Sequence, residues 1–235
     1  MTSAFARKNW FAGKSFTQHW TDRILHVWED LLEPYRKRAV TVLEIGSWEG
    51  RSAVFFLEYL PQARITCIDT FAGGDEHQEG RFGGAVGQLE RRFDANVAAY
   101  AGRVEKIRSR SFPALDALLQ SGRRFDVVYV DGSHKRDDVL IDSVLAWQLL
   151  NPGGLLIWDD YLWGAQLRTD ERPQPAIDAF LALHEGEYVR RYQDVQVAIE
   201  KTAPADAQAP RMIVPTRTVP RTVRNFLKFL KGAPI

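Results

Sequence analysis

The chain carries one cysteine, Cys67, in 235 residues. That excludes an intrachain disulfide and a zinc site built from several thiolates. No run of about 18 apolar residues occurs, so nothing reads as a membrane span. Residues 1–8 lack the apolar stretch of a secretory signal. A reducing cytoplasm is the expected compartment. Neither sign of charge dominates: 31 Lys and Arg face 30 Asp and Glu, a formal net charge of +1. Bulk charge thus gives no reason to expect a nucleic-acid partner. Glycine (17) and proline (11) are too few for a collagen-like or low-complexity chain. What is present is 45% hydrophobic residues, enough for one substantial core and too many for a mostly disordered chain.

Three regions follow from the pattern. Residues 1–40 read as a helical attachment, with Trp20, Ile24, Val27, Trp28, Leu31, Leu32 and Tyr35 at helical spacing. Thr17 or Ser15 would cap its start, and Pro34 would kink it, end it or open a short second helix. Its three tryptophans would pack on the main domain or on a second subunit. From residue 41 to 201, strands alternate with helices. Expected strands are Thr41–Gly46, Ala63–Asp69, Val104–Ser109, Phe125–Asp131 and Leu155–Asp159, with helices over roughly 51–60 and 137–149. Asn151-Pro152-Gly153-Gly154 would stop the second of these helices before the fifth strand. The strands are almost continuously apolar, as when helices cover both sheet faces. Two last strands, Tyr188–Asp194 and Gln196–Lys201, would pair antiparallel at one edge. The fold class is α/β, a doubly wound and mostly parallel seven-stranded sheet. A glycine-rich ligand loop spans 71–90. Residues 202–235 form a basic tail, six bases against one acid, in which Val223–Leu230 could be a short amphipathic helix.

The first strand ends Glu44-Ile45-Gly46-Ser47-Trp48-Glu49-Gly50, which is E-x-G-x-x-x-G. A dinucleotide site uses three glycines to bring a pyrophosphate onto a helix N-terminus. Here two glycines follow a carboxylate, which suits a cofactor with a positive end. The second strand ends at Asp69, an acid placed to accept both ribose hydroxyls of a nucleoside. Together Glu44, Gly46, Gly50 and Asp69 describe a nucleoside site without a pyrophosphate cradle.

Residues 42–50 resemble motif I of the class I S-adenosylmethionine-dependent methyltransferases, and Asp69 resembles their ribose-binding acid. The resemblance covers about residues 41–201. It implies a Rossmann-like methyltransferase fold and S-adenosylmethionine as cofactor. It also implies cofactor contacts from Ser47 and Trp48 in the glycine turn, Thr70 and Phe71 after Asp69, Ser109, Arg110 and Ser111 after the third strand, and Asp131.

The fourth and fifth strands end in Asp131-Gly132-Ser133-His134 and Asp159-Asp160. Three acids should then converge at one sheet edge. Their mutual repulsion and desolvation would be relieved by a divalent cation, with oxygen ligands suiting Mg²⁺ or Ca²⁺. The set D-G-S-H-x-x-x-x-V followed by L-x-P-G-G-x-x-x-x-D-D resembles metal-dependent O-methyltransferases of the catechol, caffeoyl-coenzyme A and macrolide-sugar kinds. The catechol type offers Asp-Asn where this chain offers Asp159-Asp160. The stretch from Asp69 to His77 also resembles the extended loop of a bacterial branch of this family.

The expected metal ligands are Asp131, Asp159 and Asp160, with Mg²⁺ the expected ion. His134, Asp131 and Asp160 are the expected catalytic set, with His134 or Asp160 as general base. Trp163 and Tyr161 suggest a flat or apolar acceptor, and Arg168 an anionic group on it. The expected activity is methyl transfer to a hydroxyl of a small molecule: a sugar, natural product, phenol or diol. A metal-independent N- or C-methyltransferase and a non-catalytic cofactor-binding or scaffold protein remain open. A homodimer is the expected assembly.

Overall fold

The computed structural model describes residues 9–74 and 86–203. The tail with its expected helix at 223–230, and His77 in the ligand loop, lie outside them. Seven strands form one sheet: β1 (Val40–Ile45), β2 (Ala63–Asp69), β3 (Val104–Arg108), β4 (Phe125–Val130), β5 (Leu150–Trp158), β6 (Tyr188–Gln193) and β7 (Val197–Lys201). The order across the sheet is β3-β2-β1-β4-β5-β7-β6. β1 to β5 are mutually parallel, and β7 runs antiparallel between β5 and β6. This is the doubly wound, mostly parallel sheet expected from the alternation.

Side chains alternate between two faces along each strand. Val42, Cys67, Tyr129 and Ile157 fall on one face, packed with α1 (Leu25–Leu32), α2 (Arg51–Tyr59) and α3 (Leu89–Val97). Leu43, Ile68, Val128 and Leu156 fall on the other, packed with α4 (Ser111–Gln120), α5 (Arg136–Leu149) and α6 (Gln174–Leu183). Both faces are covered, which is why the strands read as apolar without alternation.

The N-terminal residues belong to the first of these cores. Ile24, Trp28, Leu32 and Tyr35 are buried, one helical face continued into a 3₁₀ turn (Glu33–Tyr35) that holds Pro34. Trp28 stacks on Phe56 with centroids 5.1 Å apart and meets Tyr129 edge-on at 5.0 Å. Thr17 and Ser15 cap nothing: neither α1 nor the 3₁₀ turn before it (Trp20–Arg23) has a side-chain cap. Their backbone and hydroxyl groups instead reach Glu49 and Asn96, far along the chain.

One boundary also moves. Asn151-Pro152-Gly153-Gly154 does end α5, but it lies inside β5 as a bulge. Leu150 pairs with Phe125 and Leu155 with Val127, so the residues between are extra to the ladder. Gly153 takes the left-handed φ of +74° that this detour needs. Among the described residues, no helix is long and apolar enough to cross a membrane.

Candidate active site

Pairing continues one residue past the strands and sets the sheet's carboxyl edge. The Ser109 N–H donates to the Asp69 carbonyl (3.0 Å) and the Gly46 N–H to Ile68 (2.8 Å). The Asp131 N–H donates to Ile45 (2.8 Å) and the Asp159 N–H to Val130 (3.0 Å). The expected cofactor and acceptor residues therefore stand side by side along one line. Such an edge, at the point where strand order reverses, is where open α/β sheets bind ligands. Backbone strain collects here too. Among the described residues, the non-glycine residues with positive φ are Trp48 (47°), Phe71 (53°) and Asp160 (56°), all at this edge.

On the cofactor side, Asp69 is the organising group. Its Oδ2 accepts the N–H groups of Ser47 and Trp48, both at 2.8 Å, and its Oδ1 accepts the Phe71 N–H at 2.6 Å. A carboxylate offers about four lone-pair sites, so Oδ1 retains one. That site is open to a ligand hydroxyl. The same bonds use the turn's N–H groups, which are then not free to cradle a pyrophosphate. Gly46 is fixed by the neighbouring strand: a Cβ there would lie 1.9 Å from the Asp131 carbonyl oxygen. Gly50, at φ +78°, opens α2.

Glu44 lies fully buried beneath the turn. Burial pushes its carboxyl up to about 7; Ser47, Ser52 and Cys67 pull it partly back. They lie close to it, but neither carboxylate oxygen gains a hydrogen bond of good geometry. The Phe71 ring is buried against Phe93 (5.1 Å), so this residue faces α3 rather than open space. The Trp48 ring meets Trp20 at 5.7 Å. Arg110 is exposed, while Ser111 lies close to Asp142, a buried carboxyl on α5 that burial also raises to about 7.

On the acceptor side, Asp131, His134 and Asp160 each bring a ligand atom within 4.8 Å of the other two. The His134 Nε2 lies 3.0 Å from the Asp160 Oδ2, and its ring packs on Trp163 with centroids 4.2 Å apart. Asp159 is not in that trio. Its Oδ1 accepts the Asp160 N–H at 2.7 Å, and its Oδ2 lies 2.5 Å from the Tyr129 hydroxyl. The same hydroxyl lies 2.9 Å from the Asp131 Oδ2. A phenol has one proton to donate, so the second contact is attractive only when that carboxyl carries a proton. The electrostatics agree. Burial first, then Asp159 and Asp160, hold Asp131 well above the usual carboxylate range. Burial and Asp160 raise Asp159. Arg168 is exposed and paired with Asp170, away from this cluster's bonds.

Comparison with known proteins decides the family. Residues 43–161 match the family described as "Methyltransferase domain". The chain belongs to that family. An uncharacterized protein of Acanthamoeba polyphaga mimivirus is 25% identical over 192 residues, 78% of this chain and 76% of that protein. Among solved structures, the MycE methyltransferase of the mycinamycin biosynthetic pathway, in complex with Mg, SAH and mycinamycin VI, superposes with a TM-score of 0.56 at 19% identity. That match covers 86% of this chain but only 55% of the MycE chain. The O-methyltransferase from Bacillus cereus in complex with SAH gives a TM-score of 0.57 at 18% identity, over 81% of this chain and 84% of that one. At these identities the likeness shows the fold.

Two residues of this methyltransferase-family edge escape a sequence reading. Tyr129 interrupts an apolar strand two residues before Asp131, so it shares that residue's face; the signal was there. Glu49 sits inside the glycine turn and is 1% exposed, with its bonds all to distant segments. An acid between two turn glycines is the only local hint of it.

Proposed function

We propose that this chain transfers a methyl group from S-adenosylmethionine to a hydroxyl of a small molecule, with a divalent cation held at Asp131 and Asp160. The observation that carries this reading is the acid cluster with a histidine beside the glycine turn. The Asp131 and Asp159 carboxyls are pushed up by burial and by the acids around them, a state that a cation would relieve. Asp131 and Asp160, the two carboxylates of the trio, supply the oxygen ligands such an ion takes, with His134 beside them. Asp159, bonded to Tyr129 and to the Asp160 amide, completes the set by fixing the strand end and adding charge. The MycE complex, similar in fold, holds Mg and SAH.

Bound here, S-adenosylmethionine supplies an electrophilic methyl group, and a divalent cation supplies positive charge that lowers the pKa of a nearby hydroxyl. This chain's residues do the rest. Asp69 fixes the turn against which the nucleoside lies and offers it one acceptor. The acceptor's hydroxyl proton passes to the His134–Asp160 pair, whose Nε2 and Oδ2 lie 3.0 Å apart and which together take up one proton. Trp163, packed against His134, offers a flat wall to the acceptor.

One observation favours a second reading. The Tyr129 phenol and a proton shared with Asp131 and Asp159 can neutralise the cluster without a cation, as a metal-independent N- or C-methyltransferase would require. The deciding experiment begins with calorimetric titration of S-adenosylhomocysteine into the purified chain and into Asp69→Ala. Binding that is lost in the variant supports the cofactor site; no binding to the folded chain sinks it. Methyl transfer to a panel of hydroxylated acceptors, with and without chelator, then separates the two readings.

A further inference from the structure

The residues ahead of α1 have no part in this chemistry, yet a buried acid ties them to the cofactor turn. The Glu49 Oε2 accepts the Thr17 N–H at 2.6 Å. Its Oε1 accepts the Thr17 hydroxyl at 2.9 Å and the Arg92 Nη1 at 2.8 Å. Asn96, one turn along α3 from Arg92, repeats the link. Its Nδ2 donates to the Glu49 carbonyl and to the Ser15 carbonyl, both at 2.9 Å, and its Oδ1 accepts the Ser15 N–H at 3.0 Å. One residue before Glu49, the Trp48 ring meets Trp20. Residues 15–20 are thus fastened across residues 48 and 49 of the turn.

A buried carboxylate is costly, and a well-packed apolar residue is often at least as stabilising. Its presence inside a glycine turn therefore calls for a role beyond filling space. Every side-chain partner of Glu49 lies outside the turn, in the N-terminal segment or on α3. Asp69 meanwhile holds the N–H groups of residues 47 and 48 from the other side. The turn is clamped between two acids, one fixing its backbone and one fixing what lies over it.

We propose that Glu49 is a positioning residue for the cofactor: it pins segment 15–20 across the glycine turn, and the residence time of S-adenosylmethionine or its product depends on that pin. The inference rests on the cofactor reading above. Glu49 itself touches no reacting atom. Its effect falls on the dissociation rate, because a segment fastened across the turn that holds the nucleoside slows escape more than entry.

The test follows S-adenosylhomocysteine dissociation by stopped flow in the full chain, in Glu49→Gln and in Thr17→Val. Hydrogen exchange over residues 15–24 is measured with and without ligand. In the parent chain, ligand should increase protection of 15–24. Glu49→Gln should dissociate about tenfold faster, the scale of one charge-assisted hydrogen bond, with association nearly unchanged. Thr17→Val, which removes one hydroxyl at an exposed position, should show about a threefold change in the same direction. Faster exchange in 15–24 with an unchanged dissociation rate would overturn the inference, because the segment would then be scaffolding. Should Glu49→Gln fail to fold, an unchanged rate in Thr17→Val overturns it alone. If the parent chain binds no S-adenosylhomocysteine, the cofactor reading falls and takes this inference with it. Binding in the parent with unmoved variants leaves that reading standing and removes only the pin.

Discussion

Two groups of carboxylates share one edge of the sheet and are treated in opposite ways. Asp69, at the end of β2, accepts three backbone N–H groups and holds the glycine turn in place. Asp131 and Asp159, at the ends of β4 and β5, share one phenol and face each other and Asp160. The first acid has the donors that a half-buried carboxylate needs. The second group lacks them, and burial raises its members instead. An acid bonded by backbone amides builds architecture, whereas acids gathered with too few donors are a place where a proton, a cation or a substrate completes the set.

Gly46 lies on the seam between the two groups, and the largest effect should come from changing it. A Cβ would sit 1.9 Å from the Asp131 carbonyl oxygen, at a φ of +86° that side chains rarely adopt. Gly46→Ala must push β1 and β4 apart at their tips. A loss above about 4 kcal/mol, seen as insoluble chain or a collapsed thermal transition, is expected. A well-folded Gly46→Ala protein would mean that the two halves of the edge are not tightly joined.

Glu44 carries the next effect, and its sign is set by burial. Its carboxyl titrates near 7 in the folded chain against an ordinary value of 4.5. Below pH 4.5 both folded and unfolded chains hold the proton, and the acid costs nothing extra. Between 4.5 and 7 the unfolded chain releases it and the folded chain does not, so stability falls as pH rises, then levels above 7. The full loss is about 3 kcal/mol at 1.36 kcal/mol per unit. Asp142, also raised to about 7, slopes the same way. Glu44→Gln should therefore flatten part of the decline between pH 4.5 and 7 in urea unfolding. Parallel curves for the two proteins would show that Glu44 is solvated or paired after all.

These particulars show what a sequence can and cannot convey here. The parallel sheet is legible because burial on both faces writes itself into every strand as an apolar run. The glycine turn and Asp69 are legible because each falls at a strand end. Thr17 and Ser15 look like caps because local spacing is all a sequence offers; the partner of Thr17, Glu49, is 32 residues away. The bulge in β5 was hidden because Asn-Pro-Gly-Gly spells a turn, and only pairing with β4 shows it to be extra length within a strand. Tyr129 could be placed on the face of Asp131, but its approach to Asp159 depends on the register Tyr129↔Ile157 and Val130↔Trp158. Register between distant strands is a tertiary quantity that one sequence does not print.

The last pair of variants tests the contrast between the two acid groups directly. Asp69→Ala removes the acceptor of three N–H groups at a half-buried turn. Water replaces part of what is lost, so a cost of about 2 kcal/mol is expected, together with loss of S-adenosylhomocysteine binding. Asp131→Asn removes one member of a self-repelling set while keeping its shape and giving the Tyr129 hydroxyl an amide neighbour. Its thermal stability should change by less than about 0.5 kcal/mol or rise, because an amide stays neutral at every pH and offers its neighbours a donor without having to hold a proton. The same substitution should abolish the stabilisation that millimolar Mg²⁺ or Ca²⁺ gives the parent chain in thermal unfolding. If Asp131→Asn is instead as costly as Asp69→Ala, then the β4 acid is architecture as well, and the division of labour along this edge fails. If it is neutral but the parent chain never responds to either ion, the cluster keeps its unsatisfied character and the shared proton, not a cation, is what completes it.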